Sequence, residues 1–155
     1  MIFKYIFNMS NISSLIRKLD TIPKNLNYLH PIYLEILDSY YGSDYKKINY
    51  DNYKLEYYLK NTINRYELYN NCTNNCWSLT VSRLLPKHKI INLSPSHIKV
   101  LSGSLNCKNK NFMLNLKNGS ITIPYEHILI NNNPYEETVF FSIHSLNNFK
   151  DFPLL

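Results

Sequence analysis

A chain of 155 residues, 45% of them hydrophobic, is long enough to bury a core, and its longest apolar runs fall far below the ~20 residues that span a bilayer. Seventeen basic residues against 11 acidic ones give a net charge of +6, which suits a polyanionic partner because Lys and Arg release counterions from phosphates. The 23 Asn, 17 Ile and 14 Lys, with neither Ala nor Gln, track AT-rich codons more than any fold and point to an AT-biased genome such as that of a mitochondrion, plastid, virus or parasite.

Residues 1–7 are apolar but too short for a signal-peptide core, have no small-residue cleavage site after them and lack the Arg content of a transit peptide. An organellar protein of this kind is most simply encoded inside the organelle. Residues 12–19 predict an amphipathic helix, with Ile12, Leu15, Ile16 and Leu19 on one face. A second helix is predicted over 31–41, where Ile32, Leu34, Ile36, Leu37 and Tyr40 form the apolar face and Gly42 ends it at a left-handed C-cap.

Residues 45–48 and 53–59 alternate as strands. Residues 51–69 can also be read as one helix, but Tyr, Ile and Thr favour the extended reading. Residues 90–93 and 97–101 are strand-like runs. Asn118-Gly119 stands between the apolar runs 112–116 and 121–124 and supplies the positive φ of a tight hairpin turn. Residues 125–130 predict a short helix, and the β-branched and aromatic run 137–143 a final strand.

The sum is an α+β fold of two small lobes: N-terminal helices on a short sheet over 9–75, and a mostly antiparallel C-terminal sheet with one short helix over 76–143. Residues 1–8 are an extension and 144–155 a tail.

Basic residues bunch at Arg17-Lys18, Lys46-Lys47, Arg83 with Lys87-His88-Lys89, and Lys108 with Lys110 and Lys117. The last two groups flank the Asn-Gly turn, whose amides and side chains can meet phosphate or ribose hydroxyls. Cys72, Cys76 and Cys107 are odd in number. Cys72 and Cys76 have a spacing seen in some zinc sites, with His88 or His97 able to complete the ligands, but reduced, partly buried thiols account for them more simply and no disulfide framework is implied. None of His30, His88, His97, His127 and His144 sits in a catalytic motif, and no Gly-rich phosphate loop is present. The 14 Tyr are read as core or core edge, except Tyr125 beside the turn.

The order of features in the second half carries a family resemblance: Leu85-Pro86-Lys87-His88-Lys89-Ile90, then Leu101-Ser102-Gly103, Asn118-Gly119-Ser120-Ile121-Thr122, Glu126, and Glu137 opening an apolar strand. This series resembles small-subunit ribosomal protein eight, the bacterial-type S-eight family. The chain departs from that pattern at Asn115-Leu116-Lys117, in a stretch from Gly103 to Asn118 about five residues longer than the family's, and at Pro134-Tyr135-Glu136. The resemblance implies a divergent organellar member, with no reaction catalysed, that binds the central domain of small-subunit rRNA beside neighbouring ribosomal proteins. It implies the mitochondrial matrix or, alternatively, a plastid. RNA contacts are then expected from Arg17, Lys18, Lys87, His88, Lys89, Lys117, Asn118, Gly119, Ser120, Thr122, Tyr125 and Glu126, with no metal, cofactor, membrane or small-molecule substrate. Two alternatives stand beside it: a non-catalytic interaction subunit of another organellar or viral assembly, and a small ribonuclease.

Overall fold

The computed structural model describes residues 11–72 and 76–145, together with the backbone of Asp151–Pro153. The expected extension 1–8 lies outside the described residues.

Helix α1 (Ile12–Asp20) starts at Asn11, whose side chain accepts from the Ser14 amide at 2.7 Å, and buries Ile12, Leu15 and Leu19. Arg17 and Lys18 fall in its last turn, where cations complement the helix dipole. Helix α2 (Pro31–Ser39) starts with Pro at its first position, and the His30 ring caps the Ile32 amide at 3.1 Å. It ends earlier than the sequence suggests. Tyr40 is already extended, and Gly42 is not left-handed. The Lys99 ammonium holds the carbonyls of Asp38 and Tyr40 and so closes the helix before Gly42 is reached.

In place of the strand expected over residues 45–48, Asp44–Lys47 forms a 3-10 turn, followed by a second at Tyr50–Asn52. Asp44 fixes the first turn, since its carboxylate accepts from the Ile12 amide at 2.8 Å and the Tyr40 hydroxyl at 2.5 Å. Eleven strands complete the described chain: β1 (Lys54–Leu59), β2 (Ile63–Cys72), β3 (Cys76–Leu84), β4 (Lys89–Asn92), β5 (Ser96–Ser102), β6 (Ser104–Lys108), β7 (Met113–Lys117), β8 (Ser120–Ile123), β9 (His127–Ile130), β10 (Thr138–Ser145) and β11 (Asp151–Pro153). They form a six-stranded sheet, β1-β2-β3-β10-β5-β8, facing a five-stranded sheet, β11-β4-β9-β6-β7, and every pairing is antiparallel. The α+β class and the mainly antiparallel second half are as expected. The expected boundary at 75/76 falls in the β2–β3 hairpin, and strands from both sides of it share the six-stranded sheet.

Two corrections concern the second half. Residues 127–130 are strand, not helix, because their alternation puts His127 and Leu129 inside while Ile128 and Ile130 are half-buried. The Asn118-Gly119 step makes no hairpin either. Strand β7 pairs with β6 in one sheet and β8 pairs with β5 in the other, so the step is a corner that carries the chain between sheets. Asn118 has φ +52° but Gly119 does not have positive φ, whereas the tightest hairpin turn of this composition needs both. Gly103, at φ +81°, makes the matching corner between β5 and β6. A Cβ there would come within 3.1 Å of the Glu137 carbonyl and the Thr138 hydroxyl, which explains why the position is glycine.

The result is three layers with two cores. The helices lie over the outer face of the six-stranded sheet around Leu15, Leu37, Trp77, Leu79, Val81, Phe141 and Ile143. Ile63, Leu84, Ile98, Val100, Leu105, Leu129 and Phe140 fill the space between the sheets. Strand β10 runs between the two cores and is buried along its whole length.

Candidate functional site

The side chains that face the space between the sheets are not uniform. Along β3, Trp77, Leu79 and Val81 point to the helices, so Ser78, Thr80 and Ser82 point inward. Along β10, Phe140, Ser142 and His144 point inward in the same way. One end of the interior is therefore apolar and the other polar.

At the polar end, a bulge in β1 sets Glu56 between Leu55, opposite Tyr66, and Tyr57, opposite Arg65. Bulges of this kind re-aim a side chain. Glu56 Oε1 accepts from His144 Nε2 at 2.6 Å, and Oε2 accepts from the Ser78 hydroxyl at 2.9 Å. His144 Nδ1 is 3.0 Å from Ser142 Oγ, which is 2.7 Å from Thr80 Oγ1. Arg65, fully buried, donates through Nε to Ser82 at 2.8 Å. Burial alone would raise the Glu56 carboxyl, but the bonds from His144 and Ser78 and the charges of His144 and Arg65 outweigh it and hold Glu56 below its ordinary value.

His127 stands at the same end. Burial, aided by the Arg65 charge, pushes its imidazole down to about 4, and the bond to the Tyr125 carbonyl only partly opposes this. It is thus neutral at physiological pH, with Nδ1–H donating to that carbonyl at 2.7 Å and the Nε2 lone pair 3.4 Å from Ser96 Oγ. Next to it, Asn92 is buried, and its Nδ2 has no hydrogen-bond partner among the described residues. Beside this end, on the outer face of the five-stranded sheet, where Ile91, Ile128 and Lys108 form one row across β4, β9 and β6, lies a cavity of about 620 Å³ between the β6–β7 loop with Lys108, Asn109, Lys110 and Asn111 and the β8–β9 turn with Tyr125 and Glu126. Ile91, His127 and Ile128 line the rest of it. Asn109 shapes the loop by accepting from the amides of Asn111 and Phe112.

The residues expected at an RNA surface do not converge. Arg17 and Lys18 lie on α1, in the helical layer. Lys87 and Lys89 are exposed around the turn into β4, and His88 is held there by the Pro86 carbonyl at 2.7 Å. Lys117 and Asn118 are exposed at the end of β7, and β9 and β6 separate that strand from β4. Around the corner the polar groups are used internally: the Gly119 carbonyl accepts from Val100, the Ser120 hydroxyl donates to Asp38, and Thr122 Oγ1 bonds His97 Nδ1 at 2.6 Å. Of the expected set, Tyr125 and Glu126 line the cavity.

No family profile matches the chain, and neither does any curated protein. Solved structures do match. A cupin-2 domain protein of Rhodospirillum rubrum superposes with a TM-score of 0.55 at 12% identity, covering 70% of this chain and 79% of its own. The polyketide cyclase RemF of Streptomyces resistomycificus gives 0.51 at 14%, covering 70% and 84%, and the ectoine synthase of P. lautus 0.51 at 10%, covering 63% and 80%. The fold is a cupin barrel.

That likeness corrects the family expected from the sequence. The neighbours are cupin proteins, so the ribosomal family, the structural role in the small subunit, the rRNA and ribosomal-protein partners and the exclusion of a small-molecule ligand all fall. The motif order that suggested S-eight rested on short turn and strand signatures, which recur in antiparallel folds of any topology. Cupin barrels include enzymes, as RemF and ectoine synthase show by name.

A metal is a natural expectation in such a barrel, and the donor set does not fit one. Among the described residues no three His, Cys, Asp or Glu side chains converge. Glu56 and His144 are bonded to each other, and the buried Cys107 thiol is pushed up to about 12 by desolvation, far from the thiolate a metal needs. The zinc arrangement entertained for Cys72 and Cys76 is replaced by a disulfide between them, which also corrects the expectation of reduced thiols. His97 faces the helical layer instead, with Nε2–H donating to the Tyr28 carbonyl at 2.7 Å.

Glu56, Arg65 and the inward hydroxyls of β3 went unrecognised in the sequence. The signal was the alternation of residues 77–82, which marks a strand but does not say that its polar face is enclosed.

Proposed function

We propose that this chain is a cupin-type binding domain for a small organic anion, without a chemical step of its own, and that the ligand sits in the cavity over the outer face of the five-stranded sheet. The observation that carries this reading is the cavity itself. Its volume of about 620 Å³ lies in the range of small-molecule pockets, and it is walled by two loops over the outer face of the five-stranded sheet. Lys108 and Lys110 favour negative charge, while Ile91, Ile128 and the Tyr125 ring offer apolar contact to the body of a ligand. A non-catalytic role is supported by the internal groups being bonded to one another, Glu56 to His144 and Ser78, and His127 to Tyr125.

The test is a thermal-shift and calorimetric screen of aliphatic and aromatic carboxylates against their uncharged amides. Saturable binding of a carboxylate, weakened at least tenfold in the Lys108→Met/Lys110→Met double variant, is the expected result. No carboxylate binding, or equal binding in that variant, overturns the assignment.

A further inference from the structure

We infer that Arg65 supplies, inside the barrel, the positive charge that a bound divalent cation would otherwise provide, so that the fold holds its buried carboxylate without a metal ion. This goes beyond the ligand reading and does not depend on it. The β1 bulge places Glu56 next to Tyr57, the residue paired across the ladder with Arg65, so carboxylate and guanidinium enter the interior side by side from neighbouring strands. Arg65 is fully buried and anchored by its Nε bond to Ser82, while the Glu56 side chain is 7% exposed.

A metal site needs three or four converging protein donors with free lone pairs. Here both Glu56 oxygens already accept, from His144 and Ser78, and both His144 nitrogens are engaged, with Glu56 and Ser142. The Arg65 charge acts on Glu56 and on His127 alike, so a second cation at this end would meet a fixed one.

The experiment has two arms on the full chain. Elemental analysis of the purified protein, and melting curves with chelator and with Mn²⁺, Ni²⁺ or Zn²⁺ added, should show well under one metal per chain and a Tm that none of these additions moves. A stoichiometric metal, or a Tm raised by one of them, overturns the inference. In the second arm, Arg65→Met should lower Tm more than Arg65→Lys, and Arg65→Met/Glu56→Gln, which removes both charges, should melt above Arg65→Met. If the double variant melts no higher than the single one, Arg65 is not the counter-charge of Glu56. Neither arm reads ligand binding, so failure here and failure of the binding assignment remain separate results.

Discussion

Glu56 Oε1 and His144 Nε2 are 2.6 Å apart although 88 residues separate them in the chain. The bond joins β1 to β10 over two intervening strands, β2 and β3, and so draws the edge of the six-stranded sheet in over the polar end of the interior.

That bond gives stability a dependence on acid. The folded-state value of Glu56 lies below its ordinary 4.5, so its contribution is full above about pH 4.5 and is lost as pH falls through the folded value. Glu56→Gln should lower stability at neutral pH by about 3 kcal/mol, since Arg65 is left without its counter-charge, and should flatten the fall of Tm between about pH 5 and 3. Melting curves across that range decide it. Parallel curves for the two proteins would mean that the carboxylate is not held ionised.

His127 acts over a different window. Its folded value is pushed down to about 4 while the unfolded chain titrates near 6.5, so between those values the unfolded state binds the extra proton and stability falls as pH drops. His127→Asn keeps a donor for the Tyr125 carbonyl and removes the titration. It should lower Tm modestly at neutral pH and remove about one proton from the pH slope between about 6.5 and 4, read by denaturant melts at a series of pH values. His97, also held below its ordinary value by burial, contributes a slope of the same sign that survives in this variant.

The two corners between sheets should respond oppositely to substitution. Asn118 is exposed at φ +52°, so Asn118→Gly should change stability by less than about 0.5 kcal/mol and Asn118→Val should cost about 1–2 kcal/mol. Gly103→Ala meets both a positive φ and contacts at 3.1 Å to residues 137 and 138, so its cost should exceed that of Asn118→Ala. Urea denaturation of the four variants provides the ranking, and equal costs for the two Ala variants would count against a tight corner at Gly103.

Cys72 and Cys76 lie opposite each other in the β2–β3 ladder and are joined. A loop this short constrains the unfolded chain little, so reduction should lower stability by only about 2 kcal/mol and leave the far-ultraviolet spectrum unchanged. Melting with and without a reductant that does not absorb in that range tests this. A loss of fold on reduction would mean that the bond is essential to the β2–β3 hairpin.

The local part of this fold was legible. The Ile12, Leu15 and Leu19 stripe follows from periodicity, and the strand starting near Thr138 from its β-branched and aromatic residues. What was not legible is pairing. Asn118-Gly119 between two apolar runs reads as a hairpin because sequence shows adjacency and not sheet membership, and its two strands turn out to have different partners, β6 and β5. The site was hidden for a related reason. Ser78, Thr80 and Ser82 look like a solvated face, and only the five-stranded sheet, whose strands come from later in the chain, encloses them. Glu56 reaches the interior through a bulge, which shifts the alternation by one and leaves no mark in the composition of the strand.

The corner at Asn118 has a bearing on how this chain can change over generations. Since side chains alternate with a period of two, the number of residues at the corner fixes the phase of β8 relative to β7. A single-residue insertion or deletion there would turn β8 over, taking Thr122 away from His97 and exchanging buried Ile123 with its neighbours. Length changes in the β6–β7 loop around residues 109–111 carry no such phase. That loop borders the cavity, so the wall of the cavity is free to vary in length while the corners between the sheets are not.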